Sequence, residues 1–512
     1  MLQKGTGRLP AALRDRWTPE VRRTVLLVLI STAVCSFLAH GFLFANEFFS
    51  HDSLSYYYSF NPWSVAYYTG LGRFGIPFYE LIKGDLASPW LIGFLFLFWM
   101  VLTALLVVRL LDLRTTGSVI LTSALLCTNL AMTLTGATYV YCLDEYAFSL
   151  FTAVAAVCLF RRGRWWTIPG LILLVVSLSV YQAYFTVAVS LCLLAVIKQL
   201  IENEPWVRTI RTGVRYLASL AAGFVLYYGL WSILCAALST EKARTEDSVL
   251  SNLGALPGLI WKANMSYIKA LLFGDGVLNG LMAVVHVLIL LLLLWRLLAI
   301  LRDREVPVGS KVLLVLLTCL IPTAFNASQI LFPSAATRLT AFSWELLYVL
   351  LLMCREPHFR RPWGTGLRAA AALLLCCVLW HHMVYANQVY MKKDLEKSAT
   401  LSLVTRLIDR VELTEGYLPG ETPVALVGEL YQNTYLNQGR TGFERLTGTV
   451  GLHSDYAATY NLGFYLTTYL NYPLLLDTQT DYSQNEEVQA MPCFPAADAI
   501  QMIDGTVVVK LS

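Results

Sequence analysis

The chain contains few charged residues for its length. Only 14% of its 512 residues are Asp, Glu, Lys or Arg, whereas 57% are hydrophobic. An ordinary soluble protein needs more polar surface than this. Apolar runs of roughly 20 residues recur along the chain, and that length crosses the core of a bilayer. The composition therefore predicts a polytopic membrane protein.

Several common motifs are also missing from the sequence. There is no C-x-x-C pair typical of a metal site, and most of the eleven cysteines lie inside apolar runs, where they behave as small hydrophobes. The absence of a G-x-x-x-x-G-K-[ST] loop argues against a nucleotide-driven pump. No repeat period or low-complexity segment is visible, and we expect no nucleic-acid partner.

Basic residues alternate with the apolar runs and so predict the topology. By the positive-inside rule, the basic groups face the cytoplasm and about eleven spans follow, with the C-terminus outside. The basic groups are residues 4–23, 109–114, 161–164, 198–215, 296–311 and 355–368. The spans are predicted near residues 25–45, 89–111, 117–138, 146–160, 166–180, 182–198, 216–238, 277–300, 312–331, 335–353 and 367–386.

The composition changes abruptly after Tyr385. Residues 392–413 have helical periodicity, PVALVGEL is typical of a buried strand, and GTVVVKLS of a second strand at the end of the chain. We therefore predict an all-α polytopic membrane domain of residues 1–386 and a small extracytoplasmic α/β domain of residues 387–512.

The outer connection of residues 46–88 differs from an ordinary polar loop. It contains Asp52, Arg73, three nearby glycines and many Tyr and Trp residues. Such aromatics favour the membrane–water boundary. We predict short interfacial helices here, with Asp52 at the mouth of a catalytic cavity. Residues 250–274 predict another interfacial amphipathic helix.

Other ionisable residues are predicted at the outer ends of the spans. Asp144 and Glu145 lie at the outer edge of the fourth span, and Arg73 and Arg338 lie outside, against the positive-inside trend. A guanidinium can bind phosphate in bidentate fashion. Simpler interpretations stay open, because the acids can be solvated or cap a helix and Arg338 can snorkel or pair with Glu345.

Four blocks of sequence carry a resemblance to a known family. They are HDSLSYYY…GLGRFGIPFYELI, YCLDEYAFSL, SLSVYQAYFTVAVSLCL and MPCFPAADAIQMIDGTVVVKLS. They resemble the bacterial type-II glucosyl transferase family, the Gtr proteins that decorate O-antigen, which belongs to the GT-C membrane glycosyltransferases. The resemblance implies a GT-C-like fold. It also implies transfer of a glycosyl unit, typically glucose, from a polyprenyl-phosphate carrier to a surface polysaccharide on the extracytoplasmic face.

The resemblance also suggests catalytic residues. It points first to Asp52 and Asp144, and then to Glu145. Family members often have two adjacent acids where this chain has His51-Asp52, so Asp52 is the sole acid of that motif here. We predict no cofactor and no metal-ligand set, and keep a divalent cation as an alternative because the three acids could meet around one.

The chemistry of such a transfer accounts for the remaining candidates. A carboxylate can accept the proton of the attacking hydroxyl, which is the role predicted for Asp52. A preplaced guanidinium stabilises the departing phosphate. The predicted phosphate contacts are Arg73, Arg338 and Gln182, and the predicted substrate contacts are His51, Tyr56, Tyr57, Trp63 and Tyr181. An interfacial aromatic belt, and a Gln182 that only satisfies its own turn, remain the alternatives.

The expected partners follow from the same interpretation. They are a polyprenyl-phosphate-sugar donor, a polysaccharide or lipid-linked glycan acceptor, and membrane lipids, with a functional link to a donor-synthesising transferase and a flippase. The expected location is the cell membrane, with the N-terminus in the cytoplasm. Two other classes stay open: a polysaccharide polymerase or ligase that uses lipid-linked sugars, and a lipid-sugar transporter or flippase. A transporter would normally place ionisable groups in broken helices of matching halves, and no such pair is visible.

Overall fold

The computed structural model describes most of the chain. The described residues are 18–48, 65–84, 87–243, 253–274, 277–331, 333, 338–359, 362–429, 462–463 and 465–512. The predicted site residues His51, Asp52, Tyr56, Tyr57 and Trp63 lie outside them.

Helices dominate the first 412 residues. The first nine are α1 Pro19–Ala45, α2 Val65–Gly70, α3 Ile76–Lys83, α4 Pro89–Leu110, α5 Thr116–Cys127, α6 Leu130–Thr138, α7 Leu143–Arg162, α8 Arg164–Val180 and α9 Phe185–Ile201. Then follow α10 Trp206–Ala237, α11 Leu256–Phe273, α12 Gly280–Arg302, α13 Val308–Cys319, α14 Ile321–Phe325, α15 Ala327–Leu331, α16 Leu346–Arg355 and α17 Thr365–Glu412. The predicted interfacial helices correspond to α2, α3 and α11.

The long helices have the length and apolar character of membrane spans. Within the described residues, eight helical segments are long and apolar enough to cross a bilayer. One of them consists of α5 and α6 together, and another is Val140–Arg162, which contains α7. Helices α8 and α13 are apolar but shorter. The α5–α6 span lies at the centre of the bundle, since 94% of its most apolar stretch is buried. The predicted all-α polytopic class is therefore confirmed, with a small sheet near the C-terminus.

Some predicted boundaries differ from the observed ones. The predicted span near 312–331 is divided into α13, α14 and α15, and Pro322 lies in the first turn of α14, where its missing N–H needs no partner. The predicted helix of residues 392–413 is continuous with the last span in α17, 48 residues long. The domain boundary placed after residue 386 therefore falls inside one helix.

The basic groups of successive spans meet at one end of the bundle. The Arg161 guanidinium donates to the Leu110 carbonyl at 2.6 Å, and Arg355 donates to the Thr115 hydroxyl at 3.3 Å. The residues between α2 and α3 contact the opposite end, where the Gly75 N–H donates to the Ser179 carbonyl at 2.8 Å. This arrangement agrees with the alternation predicted from charge. The compartment that each end faces stays a prediction.

A four-stranded sheet follows α17. Its strands are β1 Pro423–Val427, β2 Leu475–Leu476, β3 Ile500–Ile503 and β4 Thr506–Lys510, and a short helix α18, Glu486–Ala490, precedes β3. The order is β2-β1-β4-β3, with β1 parallel to both neighbours and β3 antiparallel to β4. The two predicted strands correspond to β1 and β4. The apolar face of the end of α17, with Val404, Leu407 and Val411, packs in the core of this sheet.

Candidate functional site

A buried lysine lies between the two predicted acids of α7. Lys83 is the last residue of α3, and Gly84, which follows it, terminates the helix with a φ of +78°. Its Nζ donates to Glu145 Oε1 and to the Tyr141 carbonyl and lies 3.6 Å from Asp144 Oδ1. The side chains of Lys83 and Asp144 are 0% exposed and that of Glu145 is 1% exposed. Charges at such burial require close partners, since an unpaired one costs several kcal/mol.

A tyrosine one turn earlier on α3 completes the contacts of Asp144. The Tyr79 hydroxyl donates to Asp144 Oδ2 at 3.0 Å and accepts from the Trp99 indole at 2.9 Å. Burial, and then the adjacent Asp144 charge, raise the pKa of Tyr79 well above its ordinary value. The hydroxyl therefore stays protonated and keeps donating to the carboxylate.

Each of the two acids keeps one oxygen available. Asp144 Oδ1 and Glu145 Oε2 are buried and accept no hydrogen bond from any described residue. Buried polar atoms normally have partners, so such exceptions suggest a role in binding. The described residues contain no group of three or more His, Cys, Asp or Glu side chains that could hold a metal. A carboxylate oxygen can accept a hydrogen bond from a hydroxyl group, and Asp144 Oδ1 also lies 3.6 Å from Lys83 Nζ.

Arg73 lies in the turn between α2 and α3 and faces aromatic residues close to Asp144 and Glu145. Its guanidinium carbon is 5.5 Å from the centre of the Tyr181 ring. Tyr181 stacks on Tyr146, the neighbour of Glu145, with ring centres 3.9 Å apart and planes 8° apart. Arg73 and Tyr181 thus lie near the two acids. Whether they bind substrate stays a prediction.

Gln182 holds the turn that carries Arg73. Its amide nitrogen donates to the Leu71 carbonyl at 3.0 Å and to the Tyr227 hydroxyl at 2.9 Å. Tyr227 in turn donates to the Gly72 carbonyl at 2.9 Å. Gln182 therefore supports the distant turn of Gly72 and Arg73, not its own turn as the simpler interpretation had it, and a phosphate contact stays a prediction.

Arg338 belongs to a different group of residues. Its guanidinium carbon lies 4.6 Å from the centre of the Trp344 ring. The Trp344 indole donates to Asn326 Oδ1 at 3.0 Å, which fixes the aromatic surface under the guanidinium. Arg338 also interacts electrostatically with the carboxylate of Glu345. The predicted phosphate contacts Arg73 and Arg338 thus lie against different aromatic residues, Tyr181 and Trp344.

Sequence reasoning missed Lys83, Tyr79 and Glu80. Glu80 is also buried, at 6% exposure, and accepts from the Tyr68 hydroxyl at 3.2 Å. A signal was present, because Lys83 is a cation on the predicted outer side and Tyr79 precedes it by four residues, the spacing of one helix face.

Replacing Gly72 tests whether the Arg73 turn is as closely packed as these contacts indicate. Gly72 has φ +73°, and an added Cβ would collide with the Tyr227 hydroxyl and come within 2.8 Å of Gln182 Nε2. We expect Gly72→Ala to destabilise the protein by about 1–3 kcal/mol and to lower its thermal unfolding temperature in detergent. Gly229→Ala is the control, since Gly229 on α10 has open space around its Cα. Equal unfolding temperatures for the two variants would contradict the prediction.

Comparison with known proteins adds an independent finding. A family model described as glucosyl transferase GtrII matches residues 41–354 of the 512-residue chain. The match includes Lys83, Asp144, Glu145 and Arg338 and ends before α17. No curated protein and no solved structure matches the chain.

Proposed function

Because the chain belongs to the glucosyl transferase GtrII family, we propose that it moves a hexose, with glucose the expected sugar, from a polyprenyl-phosphate carrier to a cell-surface polysaccharide. The family makes the protein a glycosyltransferase, and its apolar helices make it a membrane protein. The observation that best supports the proposed site is the Lys83 group, which consists of the buried side chains of Lys83, Asp144 and Glu145 at the end of the bundle away from Arg161 and Arg162.

The proposed reaction needs one base and one cation. The acceptor oxygen forms a bond to the anomeric carbon while the bond from that carbon to the phosphate oxygen breaks. The hydroxyl proton passes to a carboxylate, and the polyprenyl phosphate leaves with its new negative charge. Asp52 is the proposed base. Arg73 and Arg338 are the proposed phosphate contacts, because a guanidinium presents two parallel donors to phosphate oxygens.

The buried acids fit a second role in this reaction. Asp144 and Glu145 share Lys83, whose single positive charge offsets one of their two negative charges before substrate arrives. Their unbonded oxygens can accept hydrogen bonds from sugar hydroxyls, which orients the sugar without consuming the base. Lys83 then holds both carboxylates in position and is a positioning residue in this proposal.

The proposed orientation puts this site outside the cell. The protein would be a multi-pass cell-membrane protein with a cytoplasmic N-terminus and an extracytoplasmic C-terminal domain. The shared basic end supports this, by the positive-inside rule. At the other end, Phe48 after α1 stacks on Tyr390 of α17, with ring centres 6.4 Å apart. A separate transferase would make the donor and a flippase would bring it across.

The direct test is transfer by the purified protein in lipid vesicles. A polyprenyl-phosphate glucose donor and a lipid-linked glycan acceptor should give an acceptor that is one hexose heavier, together with free polyprenyl phosphate. A polymerase or ligase would instead move a block of sugars. A transporter would move the intact donor across the bilayer without cleaving it. Either result would overturn the proposal.

Arg338→Lys tests the proposed phosphate contact. Lysine keeps the charge but loses the paired donors of the guanidinium, so we expect kcat/KM for the lipid donor to fall roughly tenfold, about 1.4 kcal/mol. Arg162→Lys is a matched control, since its guanidinium also lies over a tryptophan, 5.0 Å from the Trp166 ring, but at the basic end. Normal turnover in the Arg338 variant would remove this residue from the phosphate site.

A further inference from the structure

The central span of the bundle is broken at membrane depth. Helix α5 ends at Cys127 and α6 begins at Leu130, and Thr128 and Asn129 between them are buried. Backbone groups left unpaired at such a break cost several kcal/mol each in a membrane. Asn129 Oδ1 accepts from the Ala131 N–H at 2.9 Å, and Glu345 Oε1 accepts from the Leu130 N–H at 2.9 Å. Glu345 therefore holds the first residue of α6 from a distant part of the chain.

The second oxygen of Glu345 faces a histidine of α17. Glu345 Oε2 lies 3.7 Å from Nδ1 of His382, a residue that is 0% exposed. Neither this oxygen nor either ring nitrogen of His382 forms a hydrogen bond within the described part of the chain. A carboxyl and an imidazole that lie side by side can exchange a proton once the distance between them shortens slightly. Buried polar atoms without hydrogen-bond partners are also rare.

The surroundings can balance either charge state of this pair. Arg338 interacts electrostatically with both Glu345 and His382, so an ionised Glu345 has a countercharge nearby. With Glu345 ionised and His382 neutral, the pair carries one negative charge. A proton added to either side chain makes the pair neutral overall. The other titratable groups that face it are His286 of α12, Tyr348 of α16 and His381 of α17, and Tyr267 of α11 interacts with Tyr348 and Arg338 beside the pair. His286 Nε2 lies 2.7 Å from the Tyr348 hydroxyl, and His381 Nε2 lies 3.1 Å from the Val277 carbonyl.

Helix α6 connects this pair to the Lys83 group. All nine residues of α6 are buried, so the helix is held on every side. At 1.5 Å per residue it spans about 14 Å. A single 3₁₀ turn, Val140–Cys142, separates it from Asp144, and the Tyr141 carbonyl within that turn accepts from Lys83. Helix α6 therefore connects Leu130 to a carbonyl that binds Lys83.

We propose that Glu345 and His382 share an exchangeable proton, and that Glu345 is a positioning residue for the Lys83 group that acts through α6. An ionised carboxylate binds the N–H groups of a helix N-terminus more strongly than a neutral carboxylic acid does. Loss of the proton therefore fixes the first turn of α6, and gain of the proton loosens it. The effect on sugar transfer rests on the proposed function, whereas the effect on α6 does not.

Hydrogen exchange of the backbone amides of residues 128–138, measured by mass spectrometry, tests whether protonation of the Glu345–His382 pair loosens α6. The full-length protein in detergent is compared with Glu345→Gln, His382→Gln and His381→Gln between about pH 5 and pH 8. Each measured rate is divided by the intrinsic exchange rate of the same sequence in an unstructured peptide at the same pH, which cancels the intrinsic pH dependence of exchange. Wild-type protection of the first turn should fall on acidification by roughly tenfold, the effect of about 1.4 kcal/mol. The His382→Gln variant keeps the hydrogen bond from the Leu130 N–H to Glu345. It therefore still tests the proposal if Glu345→Gln fails to fold.

The expected results separate the pair from its neighbours. Protection should lose its pH dependence in Glu345→Gln, shift its midpoint in His382→Gln, and stay as in the wild type in His381→Gln. The pH profile of transfer should change in the same two variants. The same exchange profile in all four proteins would overturn the shared proton, and an unchanged transfer profile would overturn the positioning role. A wild type that transfers no sugar would refute the proposed function alone, because the exchange result still decides the pair.

Discussion

Asp52→Asn is expected to lower the rate of sugar transfer by roughly 10²-fold or more while the protein still folds and inserts. Asp52 is the sole acid of the HDSLSYYY block, and the proposed reaction requires a carboxylate that accepts the proton of the incoming hydroxyl. Asparagine keeps the shape of the side chain and removes only its basicity. Binding of the donor should survive, because the arginines proposed to bind its phosphate are unchanged.

Companion variants identify which acid is the base. Asp112→Asn is a control at the basic end, where Asp112 pairs with Arg114 at 2.8 Å, and it should leave transfer unchanged. Transfer at the normal rate in Asp52→Asn, combined with an inactive Asp144→Asn, would move the base to α7. Activity in both variants would exclude the carboxylate mechanism. The rates are measured with saturating donor, so that a change in donor binding is not mistaken for a change in chemistry.

Lys83→Met is expected to have the largest effect on stability. Methionine fills much of the same space but leaves Asp144 and Glu145 buried beside each other without their shared cation. Breaking a buried ion pair from one side costs about 3–5 kcal/mol. Thermal unfolding in detergent should show this loss, and transfer by any folded fraction should be strongly reduced because the two carboxylates lose their positions.

A second substitution distinguishes charge from packing. Lys83→Met combined with Glu145→Gln removes one of the stranded charges and should recover part of the lost stability. Lys198→Met is the matched control, since Lys198 is also buried but its partner Glu202 is 30% exposed and can be solvated. An unfolding temperature no lower for Lys83→Met than for the control would contradict the buried triad. Normal transfer in the double variant would remove Lys83 from the site.

The sequence by itself determined the class of this protein, most of its helices, two of its strands and its family. Each of these depends on local properties. An apolar run of 22 residues such as Pro89–Leu110 is long enough to cross a bilayer whatever its neighbours are, and it was predicted within one residue at its end. Asp144 and Glu145 could also be singled out, because they lie at the predicted outer edge of a span and in a block that resembles the family. The role of Asp52 stays a prediction, because that residue lies outside the described part of the chain.

Only the tertiary structure decided which charges meet. Lys83 and Glu145 are 62 residues apart in sequence, and Glu345 and Leu130 are 215 apart. In the sequence, Lys83 has the pattern of an ordinary interfacial lysine and Glu345 that of a partner for the nearby Arg338. Their actual contacts arise because α3 packs on α7 and the Phe342–Glu345 turn packs on the break before α6. This packing removes water from these groups, so each charge depends on the partners that the fold places beside it.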